Sequence, residues 1–398
     1  MKENTFSATE QMLGYIYQIR FALYQLFQLP ENAVCFIEKD DDIDFTDQEE
    51  GKILFSLKHK APGDSLSDLS PDFWKSVRIW LRAYISSNKV DEDLRFFLIT
   101  TGTISTGSFL ENFIPTKEKK VDIIKTIPEL LESSRSKTIK KTKDELFILP
   151  TEEWFNFFKR ITIFDNQERI QDIPNKIIGE RLRSLRPQHR KSVFERLEGW
   201  WNNECILLLT GERKMPLSGN ELSEKLAFIS DQFHVDNLPI DYEFAEPKEK
   251  IEIEVDDRLF VRQLRSIGIH SERLRRAILD YYRAFEQRSS WLRENVTLSG
   301  ELEEYDNRLV EEWARLKEII FDEVDEEIQE ELLQATGRKL LNELSTMTNP
   351  NLRIRTGVTA TFVTMGSYHM LANEKEPSIY WHPCFKKRMD EILTGVQK

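Results

Sequence analysis

The sequence predicts an α/β N-terminal domain with a helical extension, followed by a mainly α C-terminal domain. Three observations carry this. Up to Thr101 the apolar periodicity alternates between about 3.6 and 2, spelling helix, three strands, helix, strand. From Gly107 to about Ile240 the pattern turns helical and basic, broken by Pro115, Pro128, Pro150, Pro174, Pro187 and Pro216. Beyond a charged connector, Phe244–Asp256, long amphipathic stretches dominate. A chain of 398 residues exceeds one comfortable core, so two domains are expected, 1–245 and 246–398.

The elements follow in order. Ala8–Leu29 reads as a helix, with Met12, Tyr15, Ile16, Ile19, Phe21, Ala22, Leu23, Leu26 and Phe27 recurring mostly at spacings of three and four and Pro30 stopping the run. Ala33–Ile37 and Ile43–Phe45 are short strands, Asp47–Gly51 a turn, and Lys52–His59 the clearest alternating strand. Ser70–Ser87 is a helix with Ser70 at the cap, Pro71 at its first position and Phe73, Trp74, Val77, Trp80, Leu81 and Tyr84 along one face. Leu94–Thr101 has the density of a buried strand. In the second half helices are expected over Leu259–Leu292, Leu302–Val324 and Glu326–Leu344, a strand or buried turn over Thr356–Leu371, and a short helix over Trp381–Ile392.

Composition excludes several classes. Forty per cent apolar and 31% charged residues describe a folded globular chain, not a disordered one. Cys35, Cys205 and Cys384 are far apart, without a metal-ligand or disulfide spacing, which points to a reducing compartment. The N-terminus lacks a basic-then-apolar signal and no apolar run spans a bilayer, so a cytoplasmic location is expected. A net charge of −13 argues against coating nucleic acid with the bulk surface, though not against a local patch. Two basic runs, Arg135–Lys143 and Lys176–Lys191, read as solvated helix faces before phosphate cradles. No GxxxxGK[ST] or GxGxxG occurs, and His189, His234, His270, His369 and His382 show no metal-ligand spacing.

The chemistry concentrates in IEKDDDIDFTDQEEGKILFSLKHK, Ile37–Lys60. Period two sets Ile53, Phe55 and Leu57 on one strand face and Leu54, Ser56 and Lys58 on the other. Antiparallel pairing through the Asp47–Gly51 turn then brings Asp42 near Ser56 and Lys58. Cleaving a phosphodiester needs a hard cation on oxygen ligands and a lysine to orient the water or steady the phosphorus. An exposed acid beside a surface lysine is the bland reading of the same letters. His59 alternates onto the opposite face, which favours packing or hydrogen bonding over general-base work.

The order GYIYQ, IEKDDDI, LKHK, SPDFWKSVRIW, FFLITT resembles the double-stranded DNA endonuclease domain found in effectors of bacterial anti-phage systems, CBASS effectors among them. That domain is a branch of the PD-(D/E)xK restriction-endonuclease-like superfamily. The resemblance implies that Asp42 is a metal-binding aspartate, Lys58 the catalytic lysine, Glu38 the preceding acid and second metal ligand, and Gln18 a support for the site, with Mg²⁺ or Mn²⁺ as cofactor. Ser56 departs from the family's Gln or Glu and would ligate a hard cation more weakly than a carboxylate.

DYYRAFEQRSSWLRE (280–294), EYDNRLVEEWARLK (304–317), GSYHMLAN (366–373) and YWHPCFKKRMDEIL (380–393) resemble the C-terminal domain shared by effectors of ABC three-component systems, the group that includes Lamassu defence. This implies docking onto an SMC-like ATPase and a small middle subunit that restrain a DNA-cleaving effector until release and homo-oligomerisation, with no membrane partner. Tyr281, Tyr282, Phe285 and Trp291, with Arg283 and Arg288, suit either an interface or a helical core. The alternatives are a cyclic-oligonucleotide-activated endonuclease and a non-catalytic DNA-tethering adaptor.

Overall fold

The computed structural model describes residues 4–47, 51–87, 93–117, 122–248, 251–322, 329–346 and 350–388. It divides into two units, Met1–Ile229 and Ser230–Lys398. The N-terminal unit contains α1 (Asn4–Leu26), β1 (Val34–Ile37), β2 (Ile43–Asp47), β3 (Gly51–Lys58), β4 (Ser65–Leu66), α2 (Pro71–Ser86), β5 (Arg95–Thr100) and β6 (Thr103–Ile104). It continues through α3 (Ile123–Ser133), α4 (Lys137–Leu146), α5 (Thr151–Phe158), β7 (Ile161–Phe164), α6 (Ile173–Arg181), α7 (Pro187–Thr210), β8 (Leu217–Ser218) and α8 (Gly219–Asp231).

Six strands form a mixed sheet in the order β7-β5-β3-β2-β1-β8. β1, β2 and β3 are a meander of antiparallel neighbours, and the register Ile43↔Phe55 and Phe45↔Ile53 sets Asp42 beside Ser56. β5 lies parallel to β3, a pairing that requires a crossover, and α2 supplies it. β7 extends the parallel half and β8 pairs antiparallel with β1.

Both sheet faces are covered. On one, Phe45, Phe55, Phe97 and Phe164 form an edge-to-face ladder across four adjacent strands, with centroids 5.2 Å apart at each step, and Phe21 of α1 packs on Phe55 at 6.2 Å. On the other, Leu54, Phe96 and Leu98 meet Phe73, Trp74, Val77 and Trp80 of α2, and Trp80 stacks on Phe96 at 5.5 Å. Each buried aromatic contributes roughly 1.5–3 kcal/mol. The face carrying Ser56 is therefore roofed by α2, and Ser56 is only 1% exposed.

Two expectations for the elements of this unit change. The region from Gly107 to Ile240 is not wholly helical, because β7 and β8 close the two edges of the sheet; each is too short for its period to stand out. Asp47–Gly51 falls partly outside the described residues. His59 follows the last residue of β3 rather than belonging to it.

The C-terminal unit holds α9 (Leu259–Ser266), α10 (Ser271–Arg293), α11 (Glu301–Phe321), α12 (Glu330–Thr346) and α13 (Thr361–Leu371). The single helix expected over Leu259–Leu292 breaks at Gly268, whose φ of 75° is left-handed and ends α9. Thr356–Leu371 contains a helix, α13, not a strand; Phe362, Val363, Gly366, Tyr368, His369 and Leu371 bury it on several sides, which erases the helical period. The helices expected over Leu302–Val324 and Glu326–Leu344 correspond to α11 and α12, with 323–328 outside the described residues. Trp381–Ile392 forms turns as far as Arg388, and the remainder lies outside the described residues.

Residues 230–245, read with the first domain, pack in this unit. Trp291 Nε1 donates to the Pro239 carbonyl at 2.7 Å, and Gln287 Oε1 accepts from the Asp241 and Tyr242 amides. No described helix is long and apolar enough to cross a membrane.

Candidate active site

The acids between β1 and β2 are sorted by burial into different tasks. The Asp44 carboxylate, 2% exposed, accepts the amides of Asp40 and Asp41 at 3.1 Å each and so fixes the loop; burial raises its affinity for a proton. Asp41 accepts Trp80 Nε1 at 2.6 Å, and burial, then the neighbouring Asp42 charge, push its pKa up to about 8. Asp40 pairs with Lys52, which lowers its pKa. Glu38 adopts a left-handed φ of 54° and donates its amide to the Asp42 carbonyl at 3.1 Å, closing the loop.

Asp42 and Glu38, not committed in these ways, line a cavity of about 610 Å³ with Gln18, Lys58, His59 and Lys75; Asp40 and Asp41 also border it. Asp42 Oδ2 accepts the Leu57 amide at 2.6 Å and lies 3.7 Å from Lys58 Nζ and 3.5 Å from Ser56 Oγ. Asp42 Oδ1 has no partner among the described residues. Lys58 Nζ donates to Ser56 Oγ at 3.0 Å. Glu38 is held above the ordinary carboxylate range by burial and by Asp42, against a hydrogen bond from Gln18 and the charges of Lys58 and Lys75. A carboxylate such as Glu38, made costlier to charge by burial and by a neighbouring carboxylate beside a polar cavity, helps form a natural cation seat.

The structure thus brings Asp42, Glu38, Ser56, Lys58 and Gln18 together. Their donor set fits Mg²⁺ or Mn²⁺: such ions take one or two carboxylates and complete their shell with water and substrate oxygens, so Asp42 and Glu38 suffice. Among the described residues no group of three His, Cys, Asp or Glu side chains is placed to hold a metal. Ser56 is buried among hydroxyl and ammonium partners, away from the open cavity. His59 packs against Tyr17 with ring centroids 5.0 Å apart, and burial lowers its pKa.

Sequence reasoning missed Lys75. The signal was available: Asp72, Lys75 and Ile79 form a stripe at helical spacing along the edge of the apolar face of α2, and all three line the cavity. Lys60 pairs with Asp72, whereas no carboxylate lies within ion-pair distance of Lys75 among the described residues.

Elsewhere some members of the two basic runs are locally engaged. Lys143 pairs with Glu132 and Lys176 with Glu168, while Arg190 donates to the Leu185 and Arg183 carbonyls. In the C-terminal unit Arg288 reaches Asp306 through two bonds of 2.9 and 2.6 Å and Ser367 at 3.0 Å. Tyr281 stacks on Phe260 at 4.8 Å, and Trp291 is buried; of the aromatic set, Phe285 is 48% exposed.

No curated protein matches the chain. A solved structure similar in part is the Cap4 SAVED/CARF-domain containing receptor of Moraxella osloensis, at 14% identity and a TM-score of 0.33 over 57% of this chain and 50% of that one. The chain therefore spans about half the length of that neighbour. Residues 260–389 match the family model of C-terminal domain 7 of the ABC-three component systems, and this match supports a component of an ABC-three component defence system.

Proposed function

We propose that the chain is the effector nuclease of such a system, a divalent-metal-dependent endonuclease of double-stranded DNA on a PD-(D/E)xK-like core. The observation that carries the reading is the convergence of Asp42 and Lys58, 3.7 Å apart, on one polar cavity with Glu38. Asp42 and Glu38 hold the metal. Bound there, Mg²⁺ or Mn²⁺ supplies positive charge at the scissile phosphate and acidifies its water. Lys58 orients the attacking water and offsets the negative charge that grows on the phosphoryl oxygens. Gln18 steadies Glu38, and the Asp41–Trp80 bond anchors the loop to α2.

The C-terminal match and the resemblance of the four stretches between 280 and 393 support the rest of the proposal. An SMC-like ATPase and a middle subunit hold the effector inactive; release and self-assembly activate it.

The test is cleavage by the chain produced without partners, with Mg²⁺ or Mn²⁺ and plasmid duplex. Nicking and linearisation are expected, and Lys58→Ala and Asp42→Ala should each slow them about a hundredfold or more. Cutting that persists in both variants removes these residues from the site, and an intact plasmid with the unaltered chain under all metals tells against the nuclease.

A further inference from the structure

Ser56 stands where the resemblance leads one to expect Gln or Glu, and its surroundings give it a different task. Ser56 Oγ lies 3.0 Å from Lys58 Nζ and 2.7 Å from Ser76 Oγ of α2. Ser76 Oγ in turn donates to the Asp72 carbonyl, one turn earlier in the same helix, at 3.0 Å. Both serines are buried, at 1% and 0% exposure, so water does not compete for them.

The direction of this chain follows from proton counting. A hydroxyl has one proton to donate and two lone pairs to accept with, an ammonium only donates, and a carbonyl only accepts. Assigning the Ser76 proton to the Asp72 carbonyl makes Ser76 the acceptor from Ser56. Since the Ser56 proton goes to Ser76, the remaining capacity of Ser56 is for accepting, and Lys58 supplies the donor. The order is Lys58 ammonium to Ser56 to Ser76 to the Asp72 carbonyl, every link in one direction. Asp42 Oδ2, at 3.5 Å, is the competing acceptor for the Ser56 proton, and the shorter bond to Ser76 wins it.

We infer that Ser76 is a positioning residue for the proposed nuclease: through Ser56 it turns a hydroxyl lone pair toward Lys58 and holds that ammonium beside Asp42, so that Ser56 serves the lysine and not the metal. This rests on the nuclease reading only for its consequence in cleavage; the hydrogen-bond chain itself is independent of it. Without Ser76 the Ser56 proton is free to turn to Asp42, the lone pair offered to Lys58 is no longer fixed in direction, and the carboxylate gains a bond that competes with its other duties.

Two readouts test the inference on the full chain. The first is modification of Lys58 by an amine-reactive ester, followed by peptide mass analysis without metal or DNA. Ser76→Ala should label Lys58 several-fold faster than the unaltered chain, whereas Ser86→Ala, on the exposed end of the same helix, should not. The second is cleavage: Ser76→Ala and Ser56→Ala should each lower kcat about tenfold with KM little changed, and the double variant should be no slower than either single one.

Unchanged Lys58 labelling together with unchanged kcat in Ser76→Ala overturns the inference, as does a double variant whose losses multiply. Faster labelling in a chain that cuts no DNA upholds the hydrogen-bond chain and rejects the nuclease instead. Both substitutions remove a single oxygen, and equal thermal midpoints of variant and parent establish that the fold is retained.

Discussion

A lysine held by a carboxylate and a lysine without one differ in what they can still bind. Lys60 is committed to Asp72 and Lys58 to Asp42 and Ser56, whereas Lys75 projects from α2 beside the same cavity without such a partner among the described residues. If the cavity receives a DNA strand, Lys75 is suited to a flanking phosphate. Lys75→Gln should weaken duplex binding similarly for all sequences and reduce the slope of log affinity against log salt by about one. Fluorescence anisotropy across a salt series without divalent metal measures this, and an unchanged slope removes Lys75 from the phosphate path. At this scale the pairing of Asp42 with Lys58 was legible, because period two in Lys52–Lys60 leaves few registers that bury Ile53 and Phe55. The separate roles of Asp40, Asp41 and Asp44 were not. Three identical letters become an ion-pair partner of Lys52, a buried acceptor for Trp80 and a loop brace only when the loop is folded back on itself and set against β3 and α2.

Elements whose period was clean, such as α2 with its aromatic face, were readable to within a residue or two at each end, and the β1–β3 meander to within two or three. Those with neighbours on several sides were not. α13 is the instructive case: its β-branched start and missing period suggested a strand or a buried turn, yet it is a helix that packs closely along α10. Gly366 permits the approach, since a Cβ there would stand 2.1 Å from the Asp280 carbonyl oxygen and 2.4 Å from Ala284 Cβ. The obstruction is backbone and a short side chain, neither of which can swing aside. Gly366→Ala should therefore destabilise the C-terminal unit by roughly 1–3 kcal/mol despite its gain in helix propensity. Chemical denaturation followed by circular dichroism reads the loss; an unchanged or raised midpoint would show that α10 and α13 have room to spare.

For the molecule as a whole, acidity is a lever on stability. His369 is 2% exposed, and burial lowers its pKa to about 3 from a normal 6.5. The unfolded chain therefore binds a proton here between pH 6.5 and 3 that the folded chain refuses, and this contribution to stability is lost as pH falls through that window. From pH 7 to pH 5 the loss is about 2 kcal/mol. Asp280, raised to about 6 by burial, acts in the opposite sense over the same range. The two are separated by comparison: His369→Gln should be less destabilised than the parent by acidification from pH 7 to 5, and identical pH dependence of the two unfolding curves would refute the assignment. None of this could be read from letters, because His369 occurs as an isolated histidine and its environment comes from Phe260 and Trp381, far away in sequence.

The strand order carries a consequence for synthesis. The hairpin bearing Asp42 and Lys58 leaves the ribosome before the strands that bound its sheet, β7 on one side and β8 on the other, whose last residue is Ser218. A nascent chain that ends before Ile161 has made the residues of the site while both sheet edges still lack their outer strands, a state prone to pairing with other chains. The proposed catalytic apparatus is in this sense assembled after it is encoded: the unit that carries it closes only when the chain has been translated as far as Ser218.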